Sequence, residues 1–228
     1  MRDVPFTRSL PGRLWRRRET MRADWDRRAR ENAPFYVCTT SADSPGAFEA
    51  SGQQDLERHV IDGLPVARDW CVLEIGCGVG RLVKPLSSRV ARVVGVDLSE
   101  EMLRRARDYC AGLPNVELHR TDGRLEFLAD GTFDFVFSHI VFQHVPRKAY
   151  VESYFREAFR VLVPGGIFRV QVDGRSRQVF RRWVADSWSG VVFSARELSR
   201  RLERCGFRVT EIRGAGTQYL RATAVKPA

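Results

Sequence analysis

The chain has 228 residues, 43% hydrophobic and 29% charged, which is enough to bury a full core and too apolar for a disordered chain. No apolar run approaches the roughly 20 residues needed to cross a bilayer, and the arginine-rich start lacks the apolar stretch of a secretory leader. Lys and Arg number 38 against 28 Asp and Glu, so the net charge is +10 and an anionic partner has to be considered.

Of those basic residues only Lys84, Lys148 and Lys226 are lysine. The arginines are spread along the chain, with local clusters at Arg16-Arg17-Arg18 and between Arg175 and Arg182. Solvated, salt-bridged arginine is the plainer reading, and nucleic-acid binding is the alternative. The 5 cysteines form no CxxC pair and are odd in number, a pattern that suits reduced thiols and a cytoplasmic setting.

Residues 13–31 read as an amphipathic helix with Leu14, Arg18, Met21, Trp25 and Arg28 near one face, and Pro34 is expected to stop it. The turn-rich residues 38–46 lead to a second helical stretch over about 48–61. With no strand pattern, residues 1–66 read as a helical cap on a domain formed by 67–228.

From Trp70 onward short apolar runs alternate with helical periods. The runs are Cys71-Val72-Leu73-Glu74-Ile75, Val93-Val94-Gly95-Val96-Asp97, Val116-Glu117-Leu118, Phe133-Asp134-Phe135-Val136-Phe137 and Ile167-Phe168-Arg169-Val170-Gln171-Val172. Helices are expected from near Gly80, Ser99, Arg147 and Ser194, the last opened by the capping box Ser194-Ala195-Arg196-Glu197. Nearly continuous apolar strands joined by crossover helices specify a parallel sheet covered on both faces. Residues 207–213 and 218–225 are separated by a loop too short for a crossover, so one strand must run backwards.

The strongest signal is Val72-Leu73-Glu74-Ile75-Gly76-Cys77-Gly78-Val79-Gly80-Arg81, where the first strand turns into the first helix. Open α/β sheets bind ligands at that edge. A dinucleotide fingerprint needs Gly or Ala at its sixth position, where this chain has Arg81, so a nicotinamide or flavin cofactor is disfavoured. Asp97 ends the second strand, placed to accept both hydroxyl protons of a ribose. Leu98 and Met102 then offer apolar contacts to an adenine. Loop and acid together point to an adenosine-containing ligand without a pyrophosphate.

At these residues the chain resembles the class I S-adenosylmethionine-dependent methyltransferases. Glu74-Ile75-Gly76-Cys77-Gly78-Val79-Gly80 is similar to their first motif and Val94-Gly95-Val96-Asp97-Leu98-Ser99 to their second. Thr121-Asp122-Gly123 is similar to the segment whose acid meets the adenine amino group, here Asp122 beside Gly123. Phe133-Asp134-Phe135-Val136-Phe137-Ser138 resembles the fourth-strand motif, and residues 160–166 the turn before the fifth strand. Residues 25–36, with Trp25 and Tyr36, look like the lid helix of small-molecule members.

The resemblance runs from about residue 68 to the C-terminus. It implies a Rossmann-like, doubly wound seven-stranded α/β sheet with an antiparallel last strand, and S-adenosylmethionine as cofactor, leaving S-adenosylhomocysteine as product. Cofactor contacts are implied for Glu74, Gly76, Cys77, Gly78, Gly80, Asp97, Leu98, Met102, Asp122 and Gly123, and for Trp25 and Tyr36 from the lid. Ser138 is implied to offer its backbone carbonyl to the cofactor ammonium, and His139 a packing or cofactor-shell role.

Methyl transfer requires an acceptor held in line with the S–CH₃ bond, away from water and, where necessary, deprotonated. Acceptors then sit beyond strands four and five, where the chain has Ser138-His139-Ile140-Val141-Phe142-Gln143-His144 and Asp173. His144 is the candidate general base, with Asp173 to orient it. Alternatively His144 caps the following helix or binds backbone. Phe142, Arg175 and Trp183 are the candidate substrate contacts, the last two in a substrate-side insertion at 174–193 that mixes arginine with aromatics. The same insertion also reads as an ordinary amphipathic helix with Val179, Phe180, Trp183 and Val184 packed inward.

His59 and His119 have no partner in view, Cys77 reads as a small apolar filler, and no HxH, HExxH or CxxC array suggests a metal. The leading expectation is a methyltransferase acting on oxygen or nitrogen of a small molecule, without membrane attachment. Set against it are an RNA or protein methyltransferase and a non-catalytic cofactor binder. The Asn/Asp-Pro-Pro-aromatic tetrad of enzymes acting on exocyclic base amines is missing at Ser138-His139-Ile140-Val141.

Overall fold

The computed structural model describes residues 11–38, 44–176 and 190–228. Helix α1 spans Pro11–Val37, and it does not end ahead of Pro34 as the sequence suggests. It breaks instead at Asn32 (φ −166°, ψ 82°). The Asn32 side-chain oxygen accepts a hydrogen bond from the Phe35 N–H at 3.2 Å, so Asn32 caps a second short helical piece. Pro34 then sits in a first turn, where a missing N–H costs nothing, and its carbonyl accepts from Cys38 N–H.

Helix α2 (Pro45–Asp55) begins three residues earlier than the apolar pattern indicates, because Ser44 caps it and Pro45 supplies a preformed first turn. It runs into a π-helical turn, Leu56–Val60, whose Leu56 and Val60 are buried against the sheet.

The sheet strands are β1 (Cys71–Ile75), β2 (Arg92–Asp97), β3 (Val116–Arg120), β4 (Phe133–Ser138), β5 (Leu162–Val172), β6 (Arg208–Arg213) and β7 (Leu220–Val225). Their order is β3-β2-β1-β4-β5-β7-β6. Pairings from β3 through β5 are all parallel, and β7 is antiparallel to both β5 and β6, so it is the one reversed strand. Both faces are covered, which is why Phe133 and Val136 are buried in one core cluster while Phe135 and Phe137, stacked on each other, are buried in another.

The helices on those faces are α3 (Val83–Ser87), α4 (Glu100–Tyr109), α5 (Lys148–Val161) and α6 (Ala195–Arg204). Helix α3 starts after Gly80, not at it. Gly76, Gly78 and Gly80 have φ of 81°, 53° and 82°, a left-handed backbone that cannot enter an α-helix. The capping box at Ser194 is half made: Ser194 Oγ accepts from Glu197 N–H at 3.1 Å, while the Glu197 carboxylate turns to Lys148 and Arg201. Strand order reverses between β1 and β4, and that switch point opens the crevice that holds the candidate site.

Candidate active site

A cavity of about 910 Å³, open mouth included, lies over the carboxyl ends of β1, β2 and β4. Its floor is the glycine loop. Gly76 and Cys77 N–H groups donate to the Val96 carbonyl at 2.7 and 3.0 Å, tying the loop to β2. A Cβ on Gly76 would lie 2.4 Å from a Val141 methyl, so this glycine lets the β4 loop close onto β1. Gly76, Cys77 and Gly78 line the cavity. Gly80 does not. A Cβ there would meet Cys110 Sγ at 2.8 Å, so its role is packing against α4. Cys77 is buried, and desolvation pushes its thiol pKa up, consistent with an inert filler.

Glu74 is buried at the end of β1, and burial raises its pKa to about 8 against the lowering influence of Arg81. Its Oε2 has no hydrogen-bond partner. Arg81 lines the same wall, only 4% exposed, with Nη2 donating to Asp55 at 2.8 Å and Nη1 to Ser51 Oγ at 3.2 Å. It pins α2 beside the glycine loop. The sequence reading used Arg81 only to exclude a dinucleotide; its partners lie 26 and 30 residues upstream, where no local pattern points to them.

Asp97 accepts hydrogen bonds from Gly78 N–H and Ser99 N–H, both at 2.9 Å. Burial raises its carboxyl pKa, and those backbone donors pull it back. Leu98 and Met102 line the cavity beside it. On the neighbouring loop Thr121 reaches the cavity wall, and Asp122 and Gly123 are not part of it. Thr121 Oγ1 accepts from Gly123 N–H and donates to the Arg124 carbonyl, which turns the residues between away.

Helix α1 forms the roof through Met21, Trp25, Tyr36 and Val37. Buried Arg28 stacks its guanidinium 5.0 Å from the Trp25 ring and 5.8 Å from the Tyr36 ring, stiffening the two aromatics that face the cavity. Asp26, one residue on, accepts from Ser99 Oγ and from Glu101 N–H. The sequence reading missed Asp26.

On the acceptor side, Ile140 adopts φ 57°, the one non-glycine with positive φ among the described residues. Ser138 is buried, donating its hydroxyl to the Ile75 carbonyl, and it stays off the cavity wall. His139 lines the cavity with Nε2 unpartnered, and burial lowers its pKa to about 3, so it is neutral. His59 does have a partner: its ring stacks on His139 at 5.5 Å. His119 packs near exposed Phe127 at the β3 edge.

Two expectations for this side need correction. The turn Phe142–His144 rotates Phe142 inward, where it is fully buried against Tyr154 and Phe155 and belongs to the core, not to a substrate surface. Asp173 does not orient His144. Its carboxylate is held by Arg175, at 2.7 to 3.2 Å, and by the Arg175 N–H, so each has the other as its charge partner. His144 instead lines the cavity edge-on to Trp25, with Gln143 at 3.2 Å. Trp183 lies outside the described residues. No cluster of three or more His, Cys, Asp or Glu could hold a metal among the described residues, and no described helix is long and apolar enough to cross a membrane.

Fold and cavity together define a Rossmann-like domain with a roofed cavity at its switch point. Residues 73–170 match the protein family described as a methyltransferase domain. A trans-aconitate 2-methyltransferase of Azoarcus sp. (strain BH72) is 31% identical over 147 residues, 62% of this chain and 55% of that protein. A solved DhpI–SAH complex is 26% identical with TM-score 0.65, covering 92% of this chain and 97% of that one. A Haloferax volcanii putative methyltransferase, solved in a complex with the Trm112 methyltransferase activator, shares the fold at TM-score 0.72 and 19% identity, over 91% and 98% of the two chains. The chain spans 24% to 55% of the length of the curated relatives it matches. Over residues 73–170 the chain is therefore similar to methyltransferase domains, and the DhpI chain of the same fold was solved as a complex with SAH.

Proposed function

We propose that this chain transfers a methyl group from S-adenosylmethionine to an oxygen or nitrogen of a small molecule. The observation that carries this reading is the roof: α1 covers the cavity with Met21, Trp25 and Tyr36, leaving a roofed, open-mouthed and largely apolar space. A roofed space of this kind, lined by the glycine loop at one end and by the aromatics of α1 and the β4 loop at the other, suits a nucleoside beside a compact acceptor.

The residues present fit the cofactor. Three buried polar atoms of residues lining the cavity, Glu74 Oε2, Arg81 Nε and His139 Nε2, have no hydrogen-bond partner among the described residues. Such capacity is costly unless a ligand uses it. Glu74 would receive the cofactor ammonium, Asp97 the ribose hydroxyls, and Leu98 with Met102 the adenine face. When bound, the cofactor supplies a sulfonium methyl that is already electrophilic. What remains for the chain is to orient the acceptor and exclude water, and Trp25, Tyr36, His139 and His144 surround the space where it would do so.

The net charge does not require a nucleic acid. Arginines along the described chain are widely paired with acids, among them Arg92 with Glu117, Arg160 with Glu157 and Asp130, and Arg201 with Glu152 and Glu197. Of the cavity-lining residues only Arg81 is an arginine, and Asp55 neutralises it.

The test is incubation of the protein with methyl-labelled S-adenosylmethionine and fractionated cell extract. Label in low-mass, organic-extractable material is the expected result. Label in an RNase- or protease-sensitive fraction would overturn the small-molecule reading, and binding without incorporation in any fraction would favour a non-catalytic binder.

A further inference from the structure

Glu74 stands on a strand face that offers it no hydrogen-bond donor. Its neighbours in register are Gly95 on β2 and Phe137 on β4, one without a side chain and the other apolar. The Cys77 side chain fills the space over Gly95, 3.0 Å from where a Cβ there would stand. One step back on the same face, Val72 and Phe135 are fully buried. Glu74 itself is 2% exposed, and its Oε2 has no partner among the described residues.

The titratable and charged groups around it do not relieve this. Asp97, at the end of β2, is a second buried acid, and its charge opposes ionisation of Glu74. Cys77 in the glycine loop and Cys110 at the end of α4 are kept as neutral thiols by burial. His139, on the β4 loop, lines the same cavity and is neutral. Arg81 is the cation of the set, but its guanidinium is turned to Asp55 and Ser51, at 2.8 and 3.2 Å. Arg81 Nε and Glu74 Oε2 are both without a partner, so the two do not reach each other. A carboxylate placed among such neighbours is relieved most directly by taking up a proton.

We propose that Glu74 is a neutral carboxylic acid in the cofactor-free protein and releases its proton to solvent when a ligand brings an ammonium against it. The O–H bond of the acid breaks, the proton passes to the buffer, and the carboxylate left behind pairs with the ammonium; nothing is oxidised or reduced. The identity of that ligand rests on the function proposed above. The consequence is a selection at the amino-acid end of the cofactor. A nucleoside that lacks the ammonium leaves Glu74 protonated, forms no ion pair there, and binds without regard to pH.

Titration calorimetry of the full-length protein tests this with two ligands, S-adenosylhomocysteine and 5′-methylthioadenosine, which keeps the nucleoside and lacks the ammonium. Runs in buffers of different ionisation enthalpy count the protons released. We expect one proton per S-adenosylhomocysteine bound, with Kd tightening about tenfold per pH unit between about pH 5.5 and 7.5. For 5′-methylthioadenosine we expect no release and a flat profile. Glu74→Gln should lose both the release and the slope. Binding of S-adenosylhomocysteine without proton release would overturn the inference. Equal release with both ligands would also overturn it, by placing the titrating group at the ribose end, where Asp97 stands. Infrared spectra give a readout independent of affinity: the cofactor-free protein should show the carbonyl band of a protonated acid, absent in Glu74→Gln and lost on adding S-adenosylhomocysteine. A missing band would overturn the inference even if Glu74→Gln binds too weakly to titrate. Failure of the wild type to bind S-adenosylhomocysteine at any pH would instead remove the proposed function, and the band would still decide the state of Glu74.

Discussion

Asp26 on α1 accepts a 2.6 Å hydrogen bond from the hydroxyl of Ser99, the residue that caps α4. Asp26 also accepts from Glu101 N–H at 3.2 Å, which places its charge on the positive end of that helix. Ser99 in turn donates its N–H to Asp97. The roof is therefore fastened one hydrogen bond away from the acid assigned to the ribose. Asp26→Ala and Ser99→Ala should each destabilise the protein, with a coupling of about 1–3 kcal/mol between them, as for a hydrogen bond to a charged group. A double-mutant cycle by denaturant unfolding measures it. Faster cofactor dissociation in Asp26→Ala is expected alongside, and additive single effects would remove the latch.

Asp97→Ala should weaken S-adenosylmethionine binding by about 1–3 kcal/mol, through loss of charge-assisted hydrogen bonds. Titration calorimetry gives the value. Unchanged affinity would remove the ribose assignment and leave Asp97 as a support for Gly78 and Ser99.

Glu74 makes the stability of the cofactor-free protein depend on pH. Its pKa rises from an ordinary 4.5 to about 8 on folding, because burial disfavours the carboxylate. Between those values the folded state holds a proton that the unfolded chain has released. Stability therefore falls as pH rises from 4.5 to about 8, and the loss is complete above that. Glu74→Gln should flatten the thermal-stability profile over this window and be the more stable protein at its upper end.

Gly76→Ala combines two strains: a φ of 81° and a Cβ 2.4 Å from a Val141 methyl. Destabilisation of about 1–3 kcal/mol is expected from the backbone conformation alone, with the clash added to it. Adding Val141→Ala should recover the clash and leave the conformational part. Full recovery in urea unfolding would show that the backbone angle carries no cost.

Replacing His144 separates hydrogen-bond donation from general-base action. An amide can share a hydrogen bond but cannot take a proton, so most activity kept in His144→Asn beside a loss of about tenfold in His144→Ala, the worth of one neutral hydrogen bond, would show that the ring only orients the acceptor. A loss beyond about 10²-fold in both variants, with cofactor affinity kept, would instead point to proton abstraction by the histidine. Steady-state kinetics with the identified acceptor provides the comparison.

What the sequence determined by itself is whatever depends on neighbours along the chain. Apolar runs alternating with helical periods specified the doubly wound sheet, and the short link between the last two strands specified the reversed one. Three glycines followed by Asp97 at the end of the next strand marked the edge where the cavity lies, because a left-handed turn and a strand-end acid are local demands.

Tertiary structure decided which polar groups meet and which face of a turn looks inward. Asp26 and Ser99 are 73 residues apart, Asp55 and Arg81 are 26 apart, and Ile140 reaches Gln171 across 31. Hydrogen bonds of that kind have no period, since they form only where packing brings two elements together. For the same reason Phe142 and His144, two residues apart on one turn, part company: one fills the core and the other lines the cavity. Asp173, at a strand end that suggested a partner for His144, pairs with Arg175 because that guanidinium lies closer along the same loop.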